Sequence, residues 1–122
     1  MSAPVEVGAL DALSEAELDA LPYGVILLDR ALVVRAFNRA ESRESGFPPT
    51  AVLGKHFFDV VAPCANLPTF RDRVEQVMRR AGRAETFQYV YRPKGATPRR
   101  VVITAYAAKD GGAWIVARPP AP

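Results

Sequence analysis

The sequence predicts an α+β domain built on a five-stranded antiparallel sheet, flanked by short helices and one longer connecting helix. Three observations carry this. Two runs rich in leucine and β-branched residues, 24–29 and 32–37, meet at the turn candidates Asp29-Arg30 and read as a hairpin. Three further strand-like runs close the chain, and Asp110-Gly111-Gly112 between the last two is a strong hairpin turn. Between the two groups, residues 68–81 carry the periodicity of an amphipathic helix.

Taken in order, the first element is a short helix running from Ser14 to about Ala20. Ser14-Glu15-Ala16-Glu17 matches a capping box, in which the serine hydroxyl accepts an amide one turn on and the glutamate reaches back to the cap amide. Gly24-Val25-Ile26-Leu27-Leu28-Asp29 and Leu32-Val33-Val34-Arg35-Ala36-Phe37 then supply the first two strands. From Asn38 to Gly54, the interruptions at Gly46 and Pro48-Pro49 leave room only for helices of one or two turns. The helix over 68–81 opens on Pro68, whose missing amide hydrogen suits a first turn, and stops at Gly82, which suits the position just past a helix end. Phe70, Val74, Val77 and Met78 recur at i, i+4, i+7 and i+8, so this stripe belongs against the sheet. Strands over 85–92, 99–107 and 113–117 complete the sheet. Arg118-Pro119-Pro120-Ala121-Pro122 cannot pair in a sheet and reads as an end or a linker stub. Helices over one face of such a sheet leave a pocket between the layers.

Composition limits the function classes. One cysteine, Cys64, and one histidine, His56, exclude a disulfide framework and a zinc site, so no metal is expected. With 122 residues, 49% of them hydrophobic and 24% charged, the chain makes one globular domain. A domain of this size buries roughly two-thirds of its unfolded surface and has room for an internal ligand site. No apolar run approaches the roughly 18 residues of a membrane span, and the N-terminus lacks a signal-peptide pattern, so a cytoplasmic protein without a membrane partner is expected. The net charge of +3 hides an asymmetry: residues 1–61 carry 5 basic and 9 acidic side chains, residues 62–122 carry 11 and 4. An acidic partner is the minor reading of the basic half. Its arginines are spread over a helix and several strands with no nucleic-acid motif around them, so a solvated basic face is expected and no nucleic acid.

The residues that decide function lie in the middle. Gly54-Lys55-His56-Phe57-Phe58-Asp59-Val60-Val61-Ala62-Pro63-Cys64 closely resembles the segment around the chromophore cysteine of the photoactive yellow protein family, blue-light receptors of the PAS superfamily. The resemblance extends over most of the chain. Leu21-Pro22-Tyr23-Gly24-Val25-Ile26-Leu27-Leu28-Asp29 and Asn38-Arg39-Ala40-Glu41 resemble that family's first hairpin and glutamate-bearing helix, while Phe87-Gln88-Tyr89-Val90-Tyr91 and Trp114 resemble its later strands. This implies a PAS-like fold, with a cap segment over 1–22, the photosensor domain over 23–118 and a tail over 119–122. It also implies a cofactor, p-coumaric acid (4-hydroxycinnamic acid), held as a thioester on Cys64. In the family the bound phenolate absorbs blue light, and trans-to-cis isomerisation starts a photocycle.

The chemistry has independent reasons to need these residue types. A thiol, as its thiolate, is acylated by an activated cinnamoyl group and holds it as a thioester. Pro63 restrains the chain on the approach to Cys64 and so helps to aim that side chain. A lone cysteine is otherwise read as a small buried hydrophobe. A phenolate in an apolar pocket loses hydration and needs donors at its oxygen. Glu41 can donate only when protonated, which burial favours, and passing that proton to the phenolate leaves a poorly paired carboxylate that triggers local unfolding. Without the resemblance, Glu41 is an ordinary exposed helix glutamate. Phe57, Val61, Ala62, Tyr89 and Tyr91 are further pocket candidates, whose apolar or aromatic bodies sandwich a planar ligand; the plain alternative is core.

Two positions depart from what the resemblance implies. The tyrosine that gives the chromophore its second phenolic hydrogen bond aligns with Phe37, which has no donor, and the arginine that lies over the chromophore in the best-known members aligns with Phe47. Ser45, four residues after Glu41, is the candidate to turn a hydroxyl to the vacant place; equally, it is a polar residue before the Gly46 stop. Gly95 stands in the loop where the family often has a methionine that assists thermal return, so slow recovery is expected.

The function expected is a blue-light photoreceptor that signals by isomerisation, proton transfer from Glu41 and local unfolding. The alternative is a chromophore-free PAS module that binds a small ligand or a partner protein. A cysteine-dependent enzyme is not expected, because His56 lies in the same short segment as Cys64 and no oxyanion-forming glycine motif is visible. The partner expected is a downstream signalling protein of unknown identity, and the chain is expected to be a monomer or weak dimer.

Overall fold

The computed structural model describes residues 9–80, 82, 84–91 and 97–120. The strands β1 (Gly24–Leu28), β2 (Val34–Phe37), β3 (Ala84–Tyr91), β4 (Arg99–Ala107) and β5 (Ala113–Arg118) form one sheet in the order β2-β1-β5-β4-β3. Every neighbouring pair is antiparallel. The last strand thus sits at the centre and pairs with the first, from Gly24 opposite Ala117 to Leu28 opposite Ala113. Both faces of β5 are covered, which is why its run Ala113-Trp114-Ile115-Val116 is apolar throughout and fully buried.

The pleat divides the core in two. On one face Ile26, Leu28, Ile103, Ala105 and Ile115 pack with Phe58, Phe70, Val74 and Val77 from the segments between β2 and β3. These segments hold α2 (Arg39–Ser45), α3 (Pro49–Val52) and α4 (Arg73–Arg79). On the other face Val25, Tyr106, Trp114 and Val116 are covered by Leu10 and Leu18. Leu18 belongs to α1 (Glu15–Asp19), whose capping box is complete: Ser14 Oγ accepts from Glu17 N at 3.2 Å and Ser14 N donates to Glu17 Oε1 at 3.0 Å. Trp114 Nε1 donates to Asp11 Oδ1 at 2.7 Å and ties this N-terminal cover to the sheet. No helix among the described residues is long and apolar enough to cross a membrane.

The structure corrects four expected boundaries. The second strand starts at Val34 rather than Leu32, because Asp29 Oδ1 accepts from Ala31 N (2.9 Å) and Val33 N (3.0 Å) and folds those residues into a turn, with Leu32 at φ 66°. The helix expected over 68–81 is a π-helical turn, Pro68–Asp72, followed by α4. Its stripe is as expected, with Phe70, Val74 and Val77 buried, but it ends at Arg79, ahead of Gly82 at φ 85°. Arg118 pairs with Val102 inside β5, so the unpaired tail begins after it. The third strand runs from Ala84 to Tyr91; Arg92 and Gly95 lie outside the described residues.

Candidate functional site: a pocket holding the thiol and a glutamate

Glu41 is placed by Asn38, the N-cap of α2 and a side chain only 3% exposed. Asn38 Oδ1 accepts from Glu41 N at 3.0 Å and from Val25 N at 2.9 Å, while Nδ2 donates to Leu18 O at 2.8 Å and Tyr23 O at 3.0 Å. One amide therefore locks α2 to α1 and β1. The Asn38 N–H is itself spent on Val25 O at 3.1 Å, so the Glu41 side chain is not drawn back to the cap. It lies instead over the start of β1, where a Cβ on Gly24 would overlap the carboxyl. Gly24 is there for that close approach.

The Glu41 carboxyl faces a cavity of about 510 Å3 between the sheet and the segments that follow β2. Burial, together with the Glu44 carboxylate, pushes it from the ordinary 4.5 up to about 7, against an opposing pull from Arg99. Cys64 lines the same cavity from the 3-10 turn Pro63–Ala65; it is exposed and unbridged, with Ala65 beneath it buried. Tyr89 Oη donates to Cys64 Sγ at 3.4 Å. The Tyr89 ring is fixed edge-on against Phe70, with centroids 5.1 Å apart and planes at 89°. The hydroxyl is thus held at the thiol, a role beyond the apolar sandwich that the sequence suggests.

Every residue expected from the sequence to hold or contact the chromophore lines this cavity. Phe57, Val61 and Ala62 come from the π-helical turn Phe57–Val61 and the residue that ends it. Phe57 is also part of the core and meets Phe58 edge-on, with centroids 4.9 Å apart. Tyr91 donates through Oη to the Ser45 carbonyl at 3.2 Å, and burial, with Glu41 and Cys64 nearby, raises its phenol above the usual range. Phe37, opposite Ile26 in the β1–β2 ladder, presents a buried ring. Phe47 is 40% exposed at the lip. Ser45 Oγ accepts from Phe47 N at 3.2 Å, which leaves its hydroxyl hydrogen to donate. His56 lies apart from these residues: its Nδ1 accepts from Asp59 N at 3.1 Å and caps the π-helical turn. Among the described residues no group of three His, Cys, Asp or Glu side chains could hold a metal ion.

The family comparisons bear on the same stretch of chain. The PAS fold family matches residues 12–119. Photoactive yellow protein from Halochromatium salexigens is 32% identical over 107 residues, which span 88% of this chain and 86% of that one. The chain belongs to the photoactive yellow protein family. The crystal structure of the photoactive yellow protein domain from the sensor histidine kinase Ppr of Rhodospirillum centenum is 38% identical, with a TM-score of 0.81 over 88% of this chain and 95% of that chain. A domain of a sensory box sensor histidine kinase/response regulator from Geobacter sulfurreducens, 14% identical with a TM-score of 0.69 over 84% and 88% of the two chains, shares the fold. This is a family of light receptors and sensors, and the PAS fold with its covered sheet is the one expected.

Within this pocket, three contributors were not singled out by sequence. Asn38 as a four-bond hub carries a local signal, an Asn three residues before Glu41 at a helix start. Gly24 carries none, since its role depends on where Glu41 lands. Arg99 forms an ion pair with Glu44 and donates from Nη2 to the Glu44 carbonyl at 2.7 Å, across 55 positions of chain.

Proposed function

We propose that this chain is a blue-light receptor that carries p-coumaric acid (4-hydroxycinnamic acid) as a thioester on Cys64. The observation that carries the reading is a single pocket in which a reachable thiol and a glutamate able to keep its proton to about pH 7 stand together. The residues fit such a group: about 510 Å3 suffices for a small aromatic acid, and the lining supplies apolar walls with few polar groups. Bound there, the hydroxycinnamoyl group supplies a phenolate that absorbs blue light and isomerises from trans to cis.

The chain's own residues do the rest. Cys64, as thiolate, attacks the carbonyl of an activated p-coumaroyl donor; the thioester C–S bond forms and the donor's leaving group departs with the electron pair. Tyr89 Oη, beside Sγ, orients that sulfur. Phe57, Val61, Ala62 and the Tyr91 ring exclude water from the pocket. Glu41 is the donor to a ligand anion in the dark and the proton source in the light, and once bare it is a carboxylate in a pocket that disfavours charge. That charge is the signal: it loosens the contacts of α2. Phe37 offers no second donor, and Ser45, which lines the same cavity with its hydroxyl hydrogen available, fills that place. The chain is a sensor rather than an enzyme, and its partner is a downstream signalling protein.

The test is intact mass and absorption after incubation with activated p-coumaric acid. The wild-type chain gains one p-coumaroyl group and a visible band, and Cys64→Ala gains neither. An alanine variant that still acquires the adduct, or a wild-type chain that never does, overturns the assignment; the latter result returns the chain to the chromophore-free PAS modules.

A further inference from the structure

The last turn of α2 is held from outside by the far end of the sheet. Tyr91, which ends β3, donates to the Ser45 carbonyl at 3.2 Å. Arg99, which opens β4 and stands opposite Tyr91 in the ladder, donates to the Glu44 carbonyl at 2.7 Å and pairs with the Glu44 carboxylate. Two facing positions of one strand pair thus satisfy two carbonyls that a helix end leaves open. Arg99 and Glu44 line the same cavity as Glu41, and Glu44 is one turn along α2 from it.

The charges around Glu41 make this clasp exchangeable. From its own helix Glu41 faces Glu44; from β3 it faces Tyr91, from β4 Arg99, and across the cavity Cys64. Arg100 of β4 and Arg118 of β5 reach the cavity too, but the Arg118 guanidinium lies over the Tyr23 ring, 5.8 Å from the centroid, and of the three arginines it is Arg99 that pulls on the Glu41 carboxyl. Position 47 is a phenylalanine and contributes no charge. The Glu44 side chain is 60% exposed and that of Arg99 46%, so their pair is held weakly and Glu44 is readily hydrated when left. A carboxylate at position 41, by contrast, has little water and a strong need of a cation. A guanidinium serves such an anion well, because its planar fork matches both carboxylate oxygens.

We propose that Arg99 is the mobile counter-ion of this site: it rests on Glu44 while Glu41 holds its proton, and is drawn to Glu41 once that carboxyl ionises, which frees the last turn of α2 from β4. The inference rests on the photoreceptor reading only for the event that ionises Glu41 in the light. In the chromophore-free chain, raising the pH ionises the same group, and the exchange is read there without any adduct on Cys64.

The experiment is a nuclear magnetic resonance titration of the chromophore-free chain from pH 4 to 9, following the Glu41 carboxyl carbon, the Arg99 Nε–H and the Gly46 amide. Arg99 and Gly46 shift with the midpoint of Glu41, and Glu41→Gln abolishes both steps. Arg99→Gln raises the Glu41 midpoint by about one unit, and Arg99→Lys, which keeps the charge without the fork, raises it less. An Arg99 signal that stays flat while Glu41 titrates, or an Arg99→Gln chain with an unchanged Glu41 midpoint, overturns the proposal. Neither result depends on loading Cys64, so failure of this proposal is distinguishable from failure of the photoreceptor reading.

Discussion

The helices that follow Ser14 and Asn38 share a polar cap and a glutamate three residues later, yet Glu17 and Glu41 end in opposite states. In α1 the Ser14 amide is open, so Glu17 turns back to it, remains exposed and is held below the ordinary carboxyl range by its bonds to Ser14. In α2 the Asn38 amide is taken by Val25 O, so Glu41 has no reason to turn back and extends into the cavity, where burial raises it to about 7. One backbone hydrogen bond between a cap and a strand separates a glutamate bonded back to its own helix from one turned into the cavity with a raised pKa. The contrast also separates a cap that serves its own helix from one that positions a site.

The largest effect expected is at the caps. Asn38→Ala leaves Val25 N, Glu41 N and Tyr23 O without the Asn38 side chain and takes from Leu18 O one of its two donors, the other being Leu21 N, and costs about 3–4 kcal/mol, whereas Ser14→Ala loses an exposed cap worth about 1 kcal/mol. Urea unfolding of the two variants measures both; equal losses would break the contrast. Next is the pH dependence. Because the folded pKa of Glu41 lies above its unfolded value, its proton favours the folded chain: stability is full below 4.5, falls as pH rises, and is lost by about 7. Relative to Glu41→Gln, the wild-type chain should lose up to about 3 kcal/mol across that window. Glu17, with its lowered pKa, has the opposite sign: its contribution is full above its unfolded pKa and is lost as pH falls through the lower folded value. Urea midpoints of wild type and Glu41→Gln between pH 4 and 8, and of wild type and Glu17→Gln between pH 6 and the acid limit of folding, test the two signs.

A smaller effect is expected where a second donor is missing. With p-coumaric acid on Cys64, Phe37→Tyr adds a hydrogen bond worth about 1 kcal/mol at the phenolic oxygen. The ground state, with charge concentrated there, gains more than the excited state. The variant should absorb to the blue of wild type and its phenol should titrate about one unit lower. Ser45→Ala should move both in the other direction if its hydroxyl fills the place. Unchanged spectra in both variants would leave Glu41 as the sole donor and sharpen its difference from Glu17.

What could be read from sequence follows from the range of the interactions involved. The strand over 99–107 and the stripe of Phe70, Val74 and Val77 are local patterns, and they emerge where periodicity puts them. Leu32 and Val33 look like strand residues but are pulled into a turn by the Asp29 side chain, a contest that composition does not display. The π-helical turns at 57–61 and 68–72 are set by packing rather than propensity. In the site, Cys64, Glu41 and the aromatic walls were visible through family resemblance. Gly24 and Arg99 were not, since each matters only through a side chain brought to it by the fold.

Light-induced infrared difference spectroscopy of the p-coumaroyl-loaded chain reads the Glu41 carboxyl itself. A protonated carboxyl C=O band present in the dark should disappear on illumination as carboxylate bands grow, and Glu41→Gln should lack the change. A carboxyl signal that persists unaltered in Glu41→Gln, or a Glu41 already ionised in the dark, would contradict its role as the proton carrier of the pocket.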